Sequence, residues 1–133
     1  SELASELNRL RITDKVLFTG KITDDELATI YKGASLLFFP SLYEGFGLPV
    51  IEAMACGTPV ITSNSTSLSE IAGGAALLVD PQNIDEMVIS LEKIIDSQSL
   101  VKELRIRGFS QVNQFSWEKT TDRIRKELKE IVG

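Results

Sequence analysis

The chain has 133 residues, with 14 Lys+Arg against 19 Asp+Glu for a net charge of −5, 43% hydrophobic residues, a single cysteine and no histidine. Without histidine there is no Ser-His-Asp triad, Cys-His pair or imidazole base, and one cysteine excludes an intrachain disulfide and the Cys-rich zinc patterns. The acidic balance argues against nucleic-acid binding, no apolar run reaches the about 18 residues that cross a bilayer, and no signal peptide opens the chain, so the expectation is one soluble, cytoplasmic domain over residues 1–133.

Leu3, Leu7 and Leu10 fall at i, i+4 and i+7, the apolar stripe of a short helix. Val16-Leu17-Phe18-Thr19, closed by Gly20, reads as a strand. Thr23 to Glu26 has capping-box spacing and predicts a helix with Leu27, Ile30 and Tyr31 inward. Leu36 to Phe39 is apolar at every position, the pattern of a strand covered on both faces of a parallel sheet. After a loop punctuated by Gly45, Gly47 and Pro49, residues Val50 to Ala55 read as helix, stopped by Gly57 and Pro59.

Val60 to Ser63 is a further strand, and Ser67 to Glu70 a second capping box opening a helix that ends at Gly73-Gly74. Ala76 to Val79 is the last strand, stopped by Asp80-Pro81. Beyond it the period is helical. Asn83 with Glu86 caps a helix whose core face is Ile84, Met87, Val88, Leu91, Ile94 and Ile95. A second helix carries Leu100, Val101 and Leu104 to a break near Gly108, and Ser116 caps a third with Trp117, Thr121, Ile124, Leu128 and Ile131. Strand alternating with helix predicts an α/β, Rossmann-like parallel sheet of about four strands with right-handed crossovers. Residues 84–133 are expected to pack on it as C-terminal helices.

The chemistry concentrates in the segment Phe39 to Met54, which follows a strand and enters a helix, where open α/β sheets bind ligands. A Gly-x-Gly turn at a helix N-terminus frees backbone amides beside the positive end of the helix dipole and suits a phosphate or diphosphate. Glu44 precedes the turn and Glu52 lies one turn into the helix. Carboxylates repel phosphate but accept hydrogen bonds from vicinal hydroxyls. Together these features describe a nucleotide-sugar pocket. Read alone, Gly45 and Gly47 serve equally well as a tight turn, and Glu52 as a solvated helix residue. Its apolar neighbours Val50, Ile51, Ala53, Met54 and Ala55 favour a paired or ligand-facing acid. Cys56 reads as a packing residue, with no histidine or basic cluster beside it.

The string Glu44 to Val60 resembles the Glu-x7-Glu signature of glycosyltransferase family 4 (group 1), retaining enzymes of the GT-B fold that use nucleotide-sugar donors. The resemblance extends to Val16-x-Phe18-x-Gly20, Glu70-Ile71-x-Gly73 and Leu78 to Pro81, and covers about residues 14–95. It implies a partial C-terminal domain of a GT-B enzyme that moves a sugar from a UDP- or GDP-linked donor to a glycan or lipid acceptor. Glu44 is implied as the catalytic acid at the donor-sugar hydroxyls and Glu52 as the holder of the ribose hydroxyls. Gly45, Phe46, Gly47 and Leu48 would supply amides to sugar and diphosphate, Lys21 and Ile22 the edge of the base pocket, and Ser41 part of the lining. The family implies no cofactor, no obligatory metal, and a parent enzyme at the membrane periphery.

The resemblance also implies an upstream strand, helix and strand with a diphosphate-binding Arg and Lys, and an N-terminal acceptor domain with a histidine, none of which this sequence matches. The expectation is therefore negligible transferase activity from the chain alone, because the leaving group lacks its charge stabilisation. In a doubly wound sheet the unmatched strands lie between Val16–Thr19 and Leu36–Phe39. The first strand then re-pairs directly with the second, docks elsewhere, or leaves an edge for self-association with another chain. Two other functions fit the residues less well: a non-catalytic nucleotide-sugar binding module, and a sugar-nucleotide epimerase, which needs a further acid/base pair.

Overall fold

The computed structural model describes residues 1–42 and 47–115. Glu44, Gly45, Phe46 and the expected helix from Ser116 lie outside the described residues. In chain order the elements are α1 (Glu2–Arg9), a 3-10 turn (Thr13–Lys15), α2 (Asp24–Gly33), β1 (Leu37–Phe39), α3 (Leu48–Ala55), β2 (Val60–Ser63), α4 (Thr66–Ala72), β3 (Leu77–Val79), α5 (Ile84–Asp96) and α6 (Gln98–Asn113). None of these helices is long and apolar enough to cross a membrane.

The three strands pair in parallel in the order β1-β2-β3, with Phe38 opposite Ile61 and Thr62 opposite Leu78. Alternation along β2 sends its side chains to two cores. On one face Val60 joins Tyr31, Val50, Ala53, Met54, Leu68, Ile71 and Ala72, from α2, α3 and α4. On the other, Ile61 joins Val79, Ile94 and Leu104, from β3, α5 and α6. The buried Thr62 hydroxyl is satisfied by donating to the Phe39 carbonyl at 2.9 Å.

The caps explain most element starts. Thr23 accepts the Glu26 amide while Glu26 accepts the Thr23 amide, the expected capping box. Those bonds hold the Glu26 carboxyl below its ordinary pKa. Asn83 accepts the Glu86 amide, as its position predicts, but the Glu86 carboxylate reaches the Asp80 amide instead of closing a box. The second predicted box is displaced: Ser65, not Ser67, caps α4, accepting the Leu68 amide. Helix α3 starts at Leu48, two residues earlier than Val50, because Pro49 fits a first turn.

Among the described residues the sheet has three strands rather than the expected four or so. Val16–Thr19 lies outside it, with Leu17 85% and Phe18 67% exposed. Val16 has extended dihedrals, but extended backbone becomes a strand only when a neighbour takes its hydrogen bonds, and no strand pairs β1 on its outer side among the described residues. Direct re-pairing of this run with β1 is thereby ruled out. The stripe of α1 also buries less than expected, with Leu7 buried and Leu3 and Leu10 exposed, and Ile30 of α2 is exposed too. On α5 the inward face is rotated: Ser90 and Ile94 are buried, while Ile84, Val88 and Ile95 are exposed.

Gly108 does not break a helix. It lies inside α6, which runs unbroken from Gln98 to Asn113. A glycine there allows α6 to approach α3: a Cβ on Gly108 would lie 3.4 Å from Cγ and 3.5 Å from Cβ of Met54. One methyl fits that gap and a larger side chain does not. Gly108→Ala is expected to stay within about 1 kcal/mol of wild type in urea unfolding, since better helix propensity offsets a tight contact. Gly108→Leu is expected to lose about 2 kcal/mol or more by forcing α6 off Met54.

Candidate functional site

The chain leaves β1 at Phe39 and enters α3 through Gly47, at the end of the sheet where open α/β folds bind ligands. Gly47 is the N-cap of α3 with φ 66° and ψ 23°, a left-handed conformation that a side chain disfavours. It is also buried against α4: a Cβ would lie 2.6 Å from Ile71 Cδ1 and 3.3 Å from Leu68 Cδ2. Geometry and space both demand glycine here. The Gly47 carbonyl accepts the Val50 and Ile51 amides at 3.0 and 3.3 Å.

The same residue shapes the electrostatics of the helix start. Helices α1, α2, α4, α5 and α6 each have a Ser, Thr or Asn side chain accepting a first-turn amide. Among the described helices α3 alone has no side-chain cap, and its first turn holds no acid. The positive end of its dipole is left to whatever approaches from outside, which favours an anion.

Glu52 is the fifth of the eight residues of α3, one turn in, and is exposed. Neither of the two ion pairs among the described residues, Glu6–Arg9 and Glu103–Arg107, involves it. It lines a cleft of about 390 Å³ with Asp24, Leu27, Ala28 and Tyr31 of α2 and with Ala55 and Cys56. Two helix faces form the walls: positions 24, 27, 28 and 31 follow the i, i+3, i+4, i+7 rule, and 52, 55 and 56 repeat it from α3. A carboxylate beside an apolar and aromatic wall can accept paired hydrogen bonds from vicinal hydroxyls while the wall covers a flat group. Burial raises the Tyr31 phenol above its ordinary pKa, and the nearby Glu52 charge and Cys56 add to the rise.

The structure thus places Gly47 and Leu48 at the start of α3 and Glu52 one turn on, and the cleft that Glu52 lines includes neither Gly47 nor Leu48. Ser41 follows β1 at the same end of the sheet and is half-buried. Lys21 and Ile22 immediately precede the Thr23 cap of α2, with Lys21 exposed and Ile22 half-buried, and neither lines the Glu52 cleft. Tyr31 and Asp24 were missed as site residues, although their helical spacing with Leu27 and Ala28 marks one face. Leu68 and Ile71, which back Gly47, carried no such signal in the sequence, because they meet it only through the fold. Cys56 is half-buried in the cleft, with no basic residue among the lining.

A larger cleft, about 580 Å³, lies between Ala34–Ser35 and residues of α5 and α6. It sits where β1 begins, the end of the sheet away from the glycine turn, and holds no acid. No three of the His, Cys, Asp and Glu side chains among the described residues converge on a metal-binding position.

A family model described as glycosyl transferases group 1 matches residues 1–111. An O-antigen chain mannosyltransferase B of Escherichia coli is 41% identical over 80% of this chain and 28% of its own length. An MMP alpha-(1->4)-mannosyltransferase of Mycolicibacterium hassiacum is 39% identical over 82% of this chain and 28% of its length. Among solved structures, a sucrose-phosphate synthase from Thermosynechococcus elongatus superposes with TM-score 0.81 and 31% identity, over 98% of this chain and 33% of the other. The C-terminal domain of a glycosyl transferase group 1 family protein from Francisella tularensis gives 0.75 and 26% identity, over 85% of this chain and 60% of that one. The chain spans little more than a quarter of the length of the first two relatives.

Two measurements test this geometry. Gly47→Ala is expected to destabilise the fold by about 2 kcal/mol or more in urea unfolding, from left-handed strain plus the clash with Ile71. In a spectrophotometric titration of Tyr43→Phe, which leaves Tyr31 as the sole tyrosine, the phenol is expected to ionise above its ordinary pKa, and Glu52→Gln to bring the midpoint down. The sign for stability follows: a phenol pKa raised in the folded state gives stabilisation that is whole below the unfolded value of about 10 and is lost as pH rises through the folded value.

Proposed function

Because the chain belongs to the glycosyl transferases group 1 family, we propose that it is the donor-binding part of a retaining glycosyltransferase that takes a sugar from a UDP- or GDP-linked donor. The observation that carries this reading is the start of α3: a buried left-handed glycine, an uncapped helix N-terminus and, one turn on, an exposed carboxylate in a cleft. The amides at Gly47 and Leu48 take the donor's diphosphate and sugar side, and Glu52 accepts hydrogen bonds from the two ribose hydroxyls. The base lies toward Lys21 and Ile22, where backbone groups can bind it without selecting strongly. Glu44 engages the hydroxyls of the transferred sugar. Several of the similar proteins are named mannosyltransferases, so a mannosyl donor is the first to examine.

Retention is expected from displacement on one face of the sugar. The bond between the anomeric carbon and the diphosphate oxygen breaks, and the acceptor oxygen bonds to the same face. The acceptor's proton passes to the departing phosphate oxygen. The positive end of α3 stabilises charge as it grows on that oxygen, which is the transition-state role an uncapped helix start is suited to. No cofactor or obligatory metal enters this scheme. The acceptor in this scheme is a glycan or a lipid.

Calorimetry with UDP, GDP and ADP tests the pocket. One of these nucleotides is expected to bind, and Glu52→Ala to weaken it by about tenfold or more, since a charged acceptor then leaves two hydroxyls unpaired. Absence of binding by all three, or equal binding by Glu52→Ala, would refute the assignment.

A further inference from the structure

The glycine turn is held from behind by a side chain that touches no part of the site. Gln111 on α6 is 8% exposed and donates from Nε2 to the Ile71 carbonyl at 2.8 Å. That carbonyl lies in the last turn of α4, where the helix's own amides no longer reach. The contact is also tight in space: a Cβ on Gly73, the C-cap of α4, would lie 2.3 Å from Gln111 Nε2. Ile71 in turn presses its Cδ1 on Gly47, at the distance that leaves no room for a methyl.

From this sequence of contacts we infer that Gln111 is a positioning residue for the donor turn: by fixing the end of α4 it sets where Ile71 stands, and Ile71 sets where Gly47 stands. The glycine has no side chain of its own to hold it, and a left-handed turn at a helix start has other conformations within reach. The wall behind it therefore defines the direction in which the Gly47 and Leu48 amides point. Arg105 and Arg107, the other α6 side chains that reach backbone carbonyls, bind Gly57 and Gly74, beyond the ends of α3 and α4. Of these three, only Gln111 reaches a residue that touches Gly47. The inference rests on the reading that this turn receives the donor, but the mechanical link can be measured without any ligand.

Amide hydrogen exchange on wild type, Gln111→Met, Ile71→Val and the double variant decides it. Gln111→Met keeps the side chain's length and removes its hydrogen bond; Ile71→Val removes the methyl that touches Gly47 and leaves α6 intact. Each is expected to speed exchange by about tenfold at Val50 and Ile51, whose amides donate to the Gly47 carbonyl, with Ile61 and Ile94 unchanged. The double variant is expected to match the larger single effect, because both act along one route. Uniform acceleration across the chain, no change at Val50 and Ile51, or additive effects would overturn the inference. If Gln111→Met does not fold, Ile71→Val decides alone, and unchanged exchange at Val50 and Ile51 would overturn it. UDP and GDP binding, followed in parallel, is expected to weaken about fivefold in both single variants. Nucleotide that fails to bind wild type while the exchange pattern holds would sink the donor assignment and leave the link standing.

Discussion

The central strand is the constraint on which the rest of this structure depends. Val60, Ile61 and Thr62 are wholly buried and Ser63 is 1% exposed. A parallel strand with both faces out of water needs helices on both sides, and the chain provides them by crossing over between strands. Since β1, β2 and β3 run the same way, every crossover helix points its N-terminus toward the end where the strands finish. The glycine turn, the start of α3 and the loop after β1 are gathered at that end as a consequence of burying four residues.

Covering the strand that closely requires close approach elsewhere. Gly108 lets α6 lie against Met54, and Gly47 lets the β1–α3 turn lie against Ile71. Helix α6 then does polar work at the far ends of its neighbours. Arg105 donates to the Gly57 carbonyl at 2.9 Å, Arg107 to the Gly74 carbonyl at 3.3 Å and Gln111 to the Ile71 carbonyl. Carbonyls at helix ends lack helical partners, so α6 satisfies one in the last turn of α4 and two just beyond α3 and α4 while it covers the core. No buried side-chain polar atom among the described residues is left without a partner.

The charges follow the same division. Helices α2 and α5 spend carboxylates on their own N-termini, through Asp24, Asp25 and Glu26, and through Asp85 and Glu86. Helix α3 spends none and keeps its acid, Glu52, one turn further along in a cleft with Tyr31. An acidic chain with a net charge of −5 thus retains, among the described helices, one uncapped start suited to an anion. A nucleotide-sugar asks for this separation, with phosphate at a positive backbone and hydroxyls at a carboxylate.

Legibility tracked the range of the interaction. The capping box at Thr23, the Asn83 cap, the stop at Gly73 and the strand Val60–Ser63 depend on neighbours within a few residues, and all could be read directly. So could the family, carried by a compact local pattern around Gly47 and Glu52. Other features depend on partners far along the chain. Val16–Thr19 has the composition of a strand but no neighbour to pair with. Gly108 looks like a helix stop until Met54, 54 positions earlier, is known to lie against it. The shift of the α5 face is set by where α6 and β3 sit. The sequence by itself determined most of the caps and helix periods and the family motif at the start of α3, because these are short-range, the α4 cap at Ser65 in place of Ser67 being the exception. Only the tertiary structure decided which glycines are there for contact, which apolar run joins the sheet, and that Tyr31 and Gln111 bear on the site, because each of these is fixed by a surface that exists only once the chain has packed.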